Sequence, residues 1–372
     1  MEATPNTAAI VAWSGFALAF IFGAVGNKIS FCTMGSVSDI VNMGDWGRMR
    51  MWLLAIAVAI SGAYTLQYFG FVDLAKSIYT APNFTWLAFI AGGFLFGVGM
   101  TLGSGCGSKT LIRIGGGNLK SLVVYVFLAI SAYMTLRGLF GRFRVSVLQP
   151  VAVNLEASGI KGQDLPSLLA GTGIDLNTLR VVIAAIVAAA LLIFVFKDKE
   201  FRANLDYILG GVVIGLVVVA GWYVTGHLGY KENPATLEMT FFGTNTRAAE
   251  SFTFVAPLAY TLELLMLWTD KSLTITFGIM AVAGVMAGSF VYAIASKTFR
   301  WEGFTTAEDL GNHIIGGVLM GFGGVTSLGC TIGQGITGFS TLALGSIITF
   351  FSIIAGSAAT MKYQYWRIMR EA

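Results

Sequence analysis

Apolar stretches long enough to cross a lipid bilayer recur along nearly the whole chain. A transmembrane helix needs about 20 predominantly apolar residues. Nine stretches fit such spans: 8–25, 51–71, 86–102, 122–136, 179–196, 205–225, 273–295, 316–328 and 342–360. Charged residues make up only 11% of the chain, against about 25% in an ordinary soluble domain. We therefore predict an all-α polytopic membrane protein. The pattern excludes a soluble enzyme, a disordered chain, a nucleic-acid-binding module and a receptor with a single anchor.

Basic residues set the expected orientation, because Lys and Arg concentrate in cytoplasmic loops. They follow the first, fifth, seventh and ninth stretches: Lys28, Arg48, Arg50, Lys197, Lys199, Arg202, Lys297, Arg300, Lys362, Arg367 and Arg370. All are cytoplasmic if the N-terminus is outside, the C-terminus is inside and the stretch 251–268 is re-entrant. The chain starts without a basic region, so we expect no cleaved signal peptide. The polar stretch 141–178, with Gly171-Thr172-Gly173, is predicted to be an exposed loop or surface helix.

Two glycine-rich segments indicate an internal repeat. Residues 92–106 (GGFLFGVGMTLGSGC) and 316–330 (GGVLMGFGGVTSLGC) match without a gap at seven of fifteen positions, at an offset of 224. We predict one transmembrane domain with repeat 1 at about 10–140, a linker loop and extra span at 141–204, and repeat 2 at about 205–365. The extra span inverts the second half, as in many transporters. The alternative is that glycine-rich helices resemble one another by composition, since the chain has 47 glycines.

The three cysteines lie far apart in sequence, yet each stands beside a predicted break in a helix. Glycine-rich segments surround Cys106 and Cys330, and Cys32 comes just after the first span. Glycine makes helix continuation costly, so we predict broken helices whose second halves begin at Cys106 and Cys330 and re-enter the membrane. The free N–H groups at such helix starts favour an anion or a thiolate. The alternative is that these cysteines are small buried apolar residues.

Other polar residues near these breaks are weaker candidates. Lys109 and Arg113 lie four residues apart after Cys106, where they either attract an anion or extend to the lipid headgroups. Glu263 is the one acid within an apolar stretch, which makes it a functional candidate. Residues 103–110 (GSGCGSKT) approach a phosphate-binding loop, but they follow a membrane span and Ser108 replaces a required glycine. The cysteine spacing does not fit a zinc site, and we expect neither metal nor cofactor.

These motifs resemble the YeeE/YedE sulfur-transport family, which includes bacterial thiosulfate uptake proteins. The resemblance rests on Phe31-Cys32, Gly105-Cys106 and the segment 329–335 (GCTIGQG), and it covers nearly the whole chain. It implies inverted halves and three cysteines along a central path that pass the substrate on by thiol hydrogen bonds. Carried onto this chain, the three cysteines are Cys330, Cys106 and Cys32. We predict that Gly105, Gly329, Thr331, Gln334 and Lys109 beside them also line the path. The chain departs from the family's Gly-Gly-Cys at Ser104-Gly105-Cys106 and Leu328-Gly329-Cys330.

Residues and resemblance together predict a transporter in the bacterial inner membrane that imports a small sulfur anion, thiosulfate first. A thiol is a weak hydrogen-bond donor, which suits a site that must bind and then release. The alternatives are sulfide, sulfite or selenite as substrate, or a membrane sulfurtransferase or thiol-redox protein. The predicted partners are the lipid bilayer and, from the resemblance alone, a small cytoplasmic sulfur carrier. We expect no nucleic-acid partner.

Overall fold

The computed structural model describes residues 3–170, 175–234 and 236–371, and it is almost entirely helical. The predicted Gly171-Thr172-Gly173 loop lies outside the described residues. The helices are α1 (Ala3–Lys28), α2 (Thr33–Met43), α3 (Gly47–Tyr68), α4 (Trp86–Leu102), α5 (Gly107–Gly115), α6 (Leu119–Arg137), α7 (Leu139–Phe143), α8 (Leu165–Leu168), α9 (Leu176–Phe196), α10 (Lys199–Ala203), α11 (Leu205–Tyr223), α12 (Ala256–Met266), α13 (Phe277–Ala295), α14 (Ala307–Thr326) and α15 (Leu344–Glu371). Two short antiparallel pairs join β1 (Asn83–Phe84) to β2 (Val153–Asn154) and β3 (Tyr230–Glu232) to β4 (Met239–Phe241).

The helices confirm an all-α polytopic membrane protein. In the described part of the chain, eight helical segments are long and apolar enough to cross a membrane. The 20-residue helix α14 is a further long helix, and it starts with Glu308 and Asp309. The helix α12 has 11 residues, which at 1.5 Å per residue gives roughly 16 Å. It is therefore too short to cross a hydrocarbon core of about 30 Å, as the re-entrant assignment of 251–268 predicts.

Glycines allow the long helices to approach each other closely. At the crossing of α4 and α14, a Cβ added to Gly92 would lie 2.8 Å from the Gly323 oxygen, and one added to Gly99 would lie 2.6 Å from the Gly316 oxygen. Contacts at Gly93 and Gly317 show that α4 packs along α15, and α14 along α6. Small residues at such positions are typical of membrane helix interfaces. These close crossings hold the core of the molecule together.

We call the end of the bundle where α1 begins the N-terminal face, and the end where α15 finishes the C-terminal face. Ion pairs connect helix ends at the C-terminal face. Lys28 bonds Asp206 at 2.8 Å, and Lys120 bonds Asp309 at 2.7 Å. Further pairs join Arg50 to Asp198 and Arg367 to Glu308. Their arrangement places the ends of α1, α9 and α15 and the starts of α3, α6, α11 and α14 on one side.

The described parts of the polar stretch, residues 141–170 and 175–178, are more ordered than an exposed loop. They include α7, α8, a π-helical turn at 144–148, and the strand β2. Gln163 and Asp164 are buried, and Gln163 donates to the Ala81 carbonyl oxygen at 3.0 Å. The backbone N–H of Leu165 bonds the Leu342 carbonyl oxygen at 3.1 Å. The linker thus packs onto the N-terminal face at the start of α15. The spacing of apolar residues in the sequence does not predict this contact.

Candidate functional site

The same backbone turn precedes all three cysteines. Ser30, Ser104 and Leu328, each two residues before a cysteine, have left-handed backbone with φ of 51°, 56° and 62°. The residue after each, the one next to the cysteine, donates its N–H to a carbonyl oxygen five residues earlier at 2.7–3.0 Å. This is the hydrogen bond of a Schellman helix end. Each preceding helix is therefore closed by a left-handed turn before the chain reaches its cysteine.

A new helix starts at each cysteine after this turn. Cys32 is the N-cap of α2 and Cys106 the N-cap of α5. Cys330 is followed by a helical segment that continues as a π-helix over Gly333–Gly338. The broken helices predicted from the glycine-rich segments are thus present. Each thiol lies where backbone N–H groups lack helical partners, and these groups favour negative charge.

The Cys330 sulfur is surrounded by hydrogen-bond donors. Its sulfur accepts the backbone N–H of Phe254 at 3.3 Å and that of Gly333 at 3.4 Å. The Thr253 hydroxyl lies 4.0 Å from the same sulfur. The predicted repeat also aligns residues 251–254 (SFTF) with residues 30–33 (SFCT) at an offset of 221, and this alignment pairs Thr253 with Cys32. Thr253 and the Phe254 backbone were missed by motif analysis, although the repeat alignment points to the former.

Cys106 is central among the three cysteines. It is fully buried, and its sulfur lies 3.3 Å from the Ser108 hydroxyl. Its sulfur is within electrostatic range of the sulfurs of Cys32 and Cys330. A Cβ added to the next residue, Gly107, would lie 3.1 Å from the Phe254 oxygen. The residue that donates to Cys330 therefore also touches the start of the Cys106 helix.

Cys32 completes this group. It is buried, and its sulfur accepts the backbone N–H of Gly35 at 3.4 Å. The preceding ring of Phe31 stacks on Trp52 at 4.6 Å, and Phe22 contacts both Phe31 and Phe254. A continuous aromatic cluster thus connects the Cys32 turn with the segment that holds Cys330. The fold brings together cysteines that are 74 and 224 residues apart in sequence.

Positive charge lies beside Cys32 and Cys106. The Lys109 ammonium is within charge-interaction range of both thiols and of Arg113 and Arg48. Arg113 donates to the Ser104 carbonyl oxygen at 2.7 Å, and Arg48 pairs with Asp39. Among the ion pairs formed by described residues, none includes Lys109. Its charge is therefore available to an anion near the two thiols.

The other predicted path residues lie next to Cys330 and Cys106 in the chain. Gln334 donates through its side-chain amide to the Ser327 carbonyl oxygen. The Gln334 Oε1 and Thr331 Oγ1 atoms are buried and have no hydrogen-bond partner among the described residues. Gly329 and Gly105 form the closing bonds of the two helix ends. Buried polar atoms without partners call for a water or ligand partner, so Thr331 and Gln334 extend the polar surface next to Cys330.

A cavity of about 200 Å³ opens at the N-terminal face immediately before Cys330. Thr253, Leu328 and Gly329 line its inner end. Its polar wall is formed by side chains from several elements: Tyr79, Arg144, Asn245, Thr246, Glu250 and Tyr260. The Thr246 hydroxyl donates to the Glu250 carboxylate at 2.8 Å. Enclosure by the protein raises the pKa of Glu250 to about 7. Arg144 and Glu250 had no local motif that marked them.

Glu263 and the two histidines of the chain have structural partners. Glu263 is buried and accepts from the Arg137 guanidinium at 2.8 Å, which ties α12 to α6. The His313 ring bonds the Asp309 carbonyl oxygen at 2.8 Å within its own helix. His227 stacks on Tyr223 with ring centroids 5.0 Å apart. These contacts give each of the three a packing role away from the cysteines.

Comparisons with known proteins agree along nearly the full length. A family model described as Sulphur transport matches residues 28–359, which include all three cysteines. The chain is 27% identical to the thiosulfate transporter TsuA of Escherichia coli (strain K12) over 380 aligned positions, covering 96% of each protein. It is also 27% identical to the thiosulfate transporter TsuA of Spirochaeta thermophila over 351 positions, covering 93% of this chain and 96% of the relative.

Proposed function

Since the chain belongs to the Sulphur transport family, we propose that it imports thiosulfate across the bacterial inner membrane. The family confirms the resemblance drawn from the cysteine motifs and makes the chain a membrane transporter for sulfur compounds, not an enzyme. The observation that carries the proposal is the central group of three cysteines, each at a helix start. Two relatives of nearly equal length are named thiosulfate transporters, which favours thiosulfate over sulfide, sulfite or selenite.

Thiosulfate passes from Cys330 to Cys106 and then to Cys32 in this proposal. Cys330 lies behind the N-terminal-face cavity, Cys106 is central, and Lys109 lies beside Cys106 and Cys32. The thiols are weak hydrogen-bond donors. Weak, successive sites let an anion enter and also leave. Lys109 attracts the anion toward the second pair of thiols, while Thr331, Gln334, Gly105 and Gly329 shape the walls.

The charge distribution supports import with the C-terminal face in the cytoplasm. The ends of α1, α9 and α15 at that face carry basic residues, among them Lys28, Lys197 and Arg367. Lys and Arg near span ends concentrate on the cytoplasmic side. The N-terminal face, with its cavity before Cys330, is then the outer side. The N-terminus is outside and the C-terminus is inside in this orientation.

Two inverted halves account for the central placement of the cysteines. The contacts of Gly92 with Gly323 and of Gly99 with Gly316 are reciprocal, because an offset of 224 converts each pair into the other. Such reciprocity is the mark of a two-fold relationship between the halves. Cys106 and Cys330 are equivalent under the same offset and approach the centre from opposite faces. Inverted halves with a site at their interface are a common transporter design.

A small sulfur carrier is the proposed acceptor on the cytoplasmic side. A broad cleft lies between α2 and the end of α15, and it is lined by Met34, Asn42, Lys362 and Tyr365. Met34 is two residues from Cys32, so the cleft opens next to the last thiol of the path. Uptake into vesicles should be faster when the vesicles enclose such a carrier together with an enzyme that consumes thiosulfate. Equal uptake with and without the carrier would remove this part of the proposal.

Uptake of radiolabelled thiosulfate into proteoliposomes tests the function. Wild-type protein should accumulate label, and Cys106→Ala should reduce the initial rate at least tenfold because the central thiol is lost. Ser108→Ala is the matched control, since it removes the hydroxyl neighbour of Cys106 and keeps the thiol. Equal rates in wild type and Cys106→Ala would contradict the thiol path. Absence of uptake in all three proteins would contradict thiosulfate as the substrate.

A further inference from the structure

A groove runs between α3 and α9 on the side of the bundle, away from the cysteines. Both helices are long and apolar enough to span a membrane. Only four residues of α9 are buried, so most of this helix is exposed along the side of the bundle. The groove encloses about 330 Å³, and its walls include Tyr68, Phe69 and Val181. In a membrane it therefore opens toward lipid.

The deep part of this groove is apolar in character. Ser61 and Thr65 line it, but the Ser61 hydroxyl donates to the Ala57 carbonyl oxygen at 2.9 Å and the Thr65 hydroxyl to the Ser61 carbonyl oxygen at 2.7 Å. Both hydroxyl protons are thus used within α3. Ala184 and Ala185 provide the small side chains of α9. The groove is a narrow apolar channel with no hydroxyl proton left for a polar ligand.

The depth of the groove matches one leaflet of a bilayer. It extends from the last turn of α3 down to Ser61, which lies seven residues before Tyr68, the end of that helix. Along α9 it reaches Ala185, nine residues after the first residue, Leu176. At 1.5 Å per residue these lengths are roughly 10 and 14 Å. Half of a hydrocarbon core is about 15 Å.

A polar cleft continues the groove at the N-terminal face. It encloses about 160 Å³ and shares Tyr64, Tyr68 and Val181 with the groove. Its other lining residues are Gln67, Asn177 and Arg180. Arg180 is half-buried in the first turns of α9, and none of the ion pairs between described residues includes it. The cleft therefore combines one positive charge with two side-chain amides at the level where a headgroup would lie.

We propose that groove and cleft together form a phospholipid-binding site, in which an acyl chain lies between α3 and α9 and Arg180 binds the lipid phosphate. The proposal goes beyond transport and does not depend on the substrate. Arginine suits phosphate because its guanidinium presents several donors in a fixed plane. An anionic lipid such as phosphatidylglycerol should bind better than a zwitterionic one, because the ammonium group of a zwitterionic headgroup offsets its attraction to Arg180.

Tyr64 connects this site with the segment that follows Cys330. Its ring lines both the groove and the cleft. Its hydroxyl donates at 3.1 Å to the carbonyl oxygen of Thr341, in the short 3₁₀ turn Phe339–Thr341. An acyl chain packed beside Tyr64 would restrain α3 and α9 against this turn. We therefore expect bound phosphatidylglycerol to raise the melting temperature of the protein.

Native mass spectrometry of the delipidated full-length protein in detergent tests the site. Titration with phosphatidylglycerol should give a bound lipid, and phosphatidylcholine should bind more weakly. Arg180→Gln should weaken the binding of phosphatidylglycerol about tenfold, because a charge-assisted hydrogen bond to the phosphate is lost. Lys197→Gln is the matched control, because Lys197 is an exposed cation at the opposite end of α9. It should bind the lipid as the wild type does.

A second pair of variants tests the acyl-chain part of the groove. Ala185→Leu places a larger side chain in the groove and should weaken both phospholipids. Ala189→Leu is its control, because Ala189 is exposed on the same helix and does not line the groove. Melting temperatures with and without phosphatidylglycerol give an independent readout. The stabilisation by lipid should be lost in Arg180→Gln and Ala185→Leu and kept in the two controls.

Other occupants of the groove give different results. Equal lipid binding in wild type and Arg180→Gln, or an equal loss in Lys197→Gln, would overturn the phosphate contact. Ala185→Leu that binds lipid as the wild type does would overturn the acyl-chain groove. Displacement of the lipid by inorganic phosphate would assign the cleft to a free anion. A dimer mass in the lipid-free wild type that disappears in Ala185→Leu would assign the groove to a second copy of the chain.

Discussion

Glu250 makes the outer cavity sensitive to pH at the scale of one residue. Its pKa is raised from 4.5 to about 7 by burial, so the carboxyl is neutral below about pH 7 and ionised above it. The groups that face it are the Thr246 hydroxyl, the Arg144 guanidinium and the phenols of Tyr79 and Tyr260. None of these supplies an ion pair to the carboxylate. Ionisation therefore adds a negative charge that faces an incoming anion.

We expect thiosulfate affinity to fall as external pH rises through about 7. One coupled proton limits the change to about tenfold per pH unit. Initial uptake rates at several thiosulfate concentrations, measured from about pH 6 to about pH 8, give the half-saturating concentration. Glu250→Gln should make that concentration independent of pH, because the amide stays neutral. A pH profile that survives in Glu250→Gln would assign the titration to another group.

Lys109 and Arg113 are expected to have different roles. Lys109 attracts the anion, and Arg113 stabilises the fold. Lys109 has charge interactions with Cys32 and Cys106, whereas Arg113 is bound to the Ser104 carbonyl oxygen. Lys109→Gln should lower the maximal uptake rate about tenfold or more and leave the melting temperature near that of wild type. Arg113→Gln should mainly lower the melting temperature, because it releases the turn before Cys106. If Lys109→Gln instead lowered the melting temperature and Arg113→Gln lowered the uptake rate, Lys109 would be the structural residue.

The turn before Cys106 offers a test at the scale of an element. Ser104 has left-handed backbone, which costs an L-residue about 1–2 kcal/mol and a glycine much less. Ser104→Gly should therefore raise stability by about 1 kcal/mol, partly offset by the greater freedom of glycine in the unfolded chain. The apparent melting temperature in detergent measures the gain. Ser104→Ala keeps a Cβ and should therefore not raise the melting temperature. Equal effects of the two substitutions would show that the left-handed backbone of Ser104 is not strained.

The same elements show which features were predictable from the sequence. The apolar lengths and the glycine-rich breaks predicted the helices and their interruption near Cys106 and Cys330, because helix continuation depends on local propensity. The left-handed residues were not predictable, since serine and leucine at these positions carry no glycine signal. Arg144 and Glu250 were missed for a different reason. They come from segments about 100 residues apart, and only tertiary packing brings them to one cavity.

At the scale of the whole molecule, the two proposed halves meet at the crossing of α4 and α14. Gly92 and Gly316 are equivalent in the proposed repeat, and each faces a backbone oxygen of the other half. The contact leaves no space for a methyl group on either side. Because the cysteine turns follow directly after these two helices, the crossing also fixes the distance between Cys106 and Cys330. Substitutions here should therefore affect assembly and transport together.

Gly92→Ala and Gly316→Ala should each destabilise the protein by about 1–3 kcal/mol, the cost of overpacking a close interface. The added Cβ would lie 2.8 Å from the Gly323 oxygen in the first variant and 2.7 Å from the Gly99 oxygen in the second. Gly311→Ala is the matched control, because it lies in α14 with nothing within 4 Å of its added Cβ. It should be neutral or stabilising by up to about 1 kcal/mol. Melting temperatures and the monodisperse fraction in detergent measure all three. Similar losses at Gly92 and Gly316 would support equivalent halves, whereas tolerance of alanine at only one of them would show that the halves pack differently.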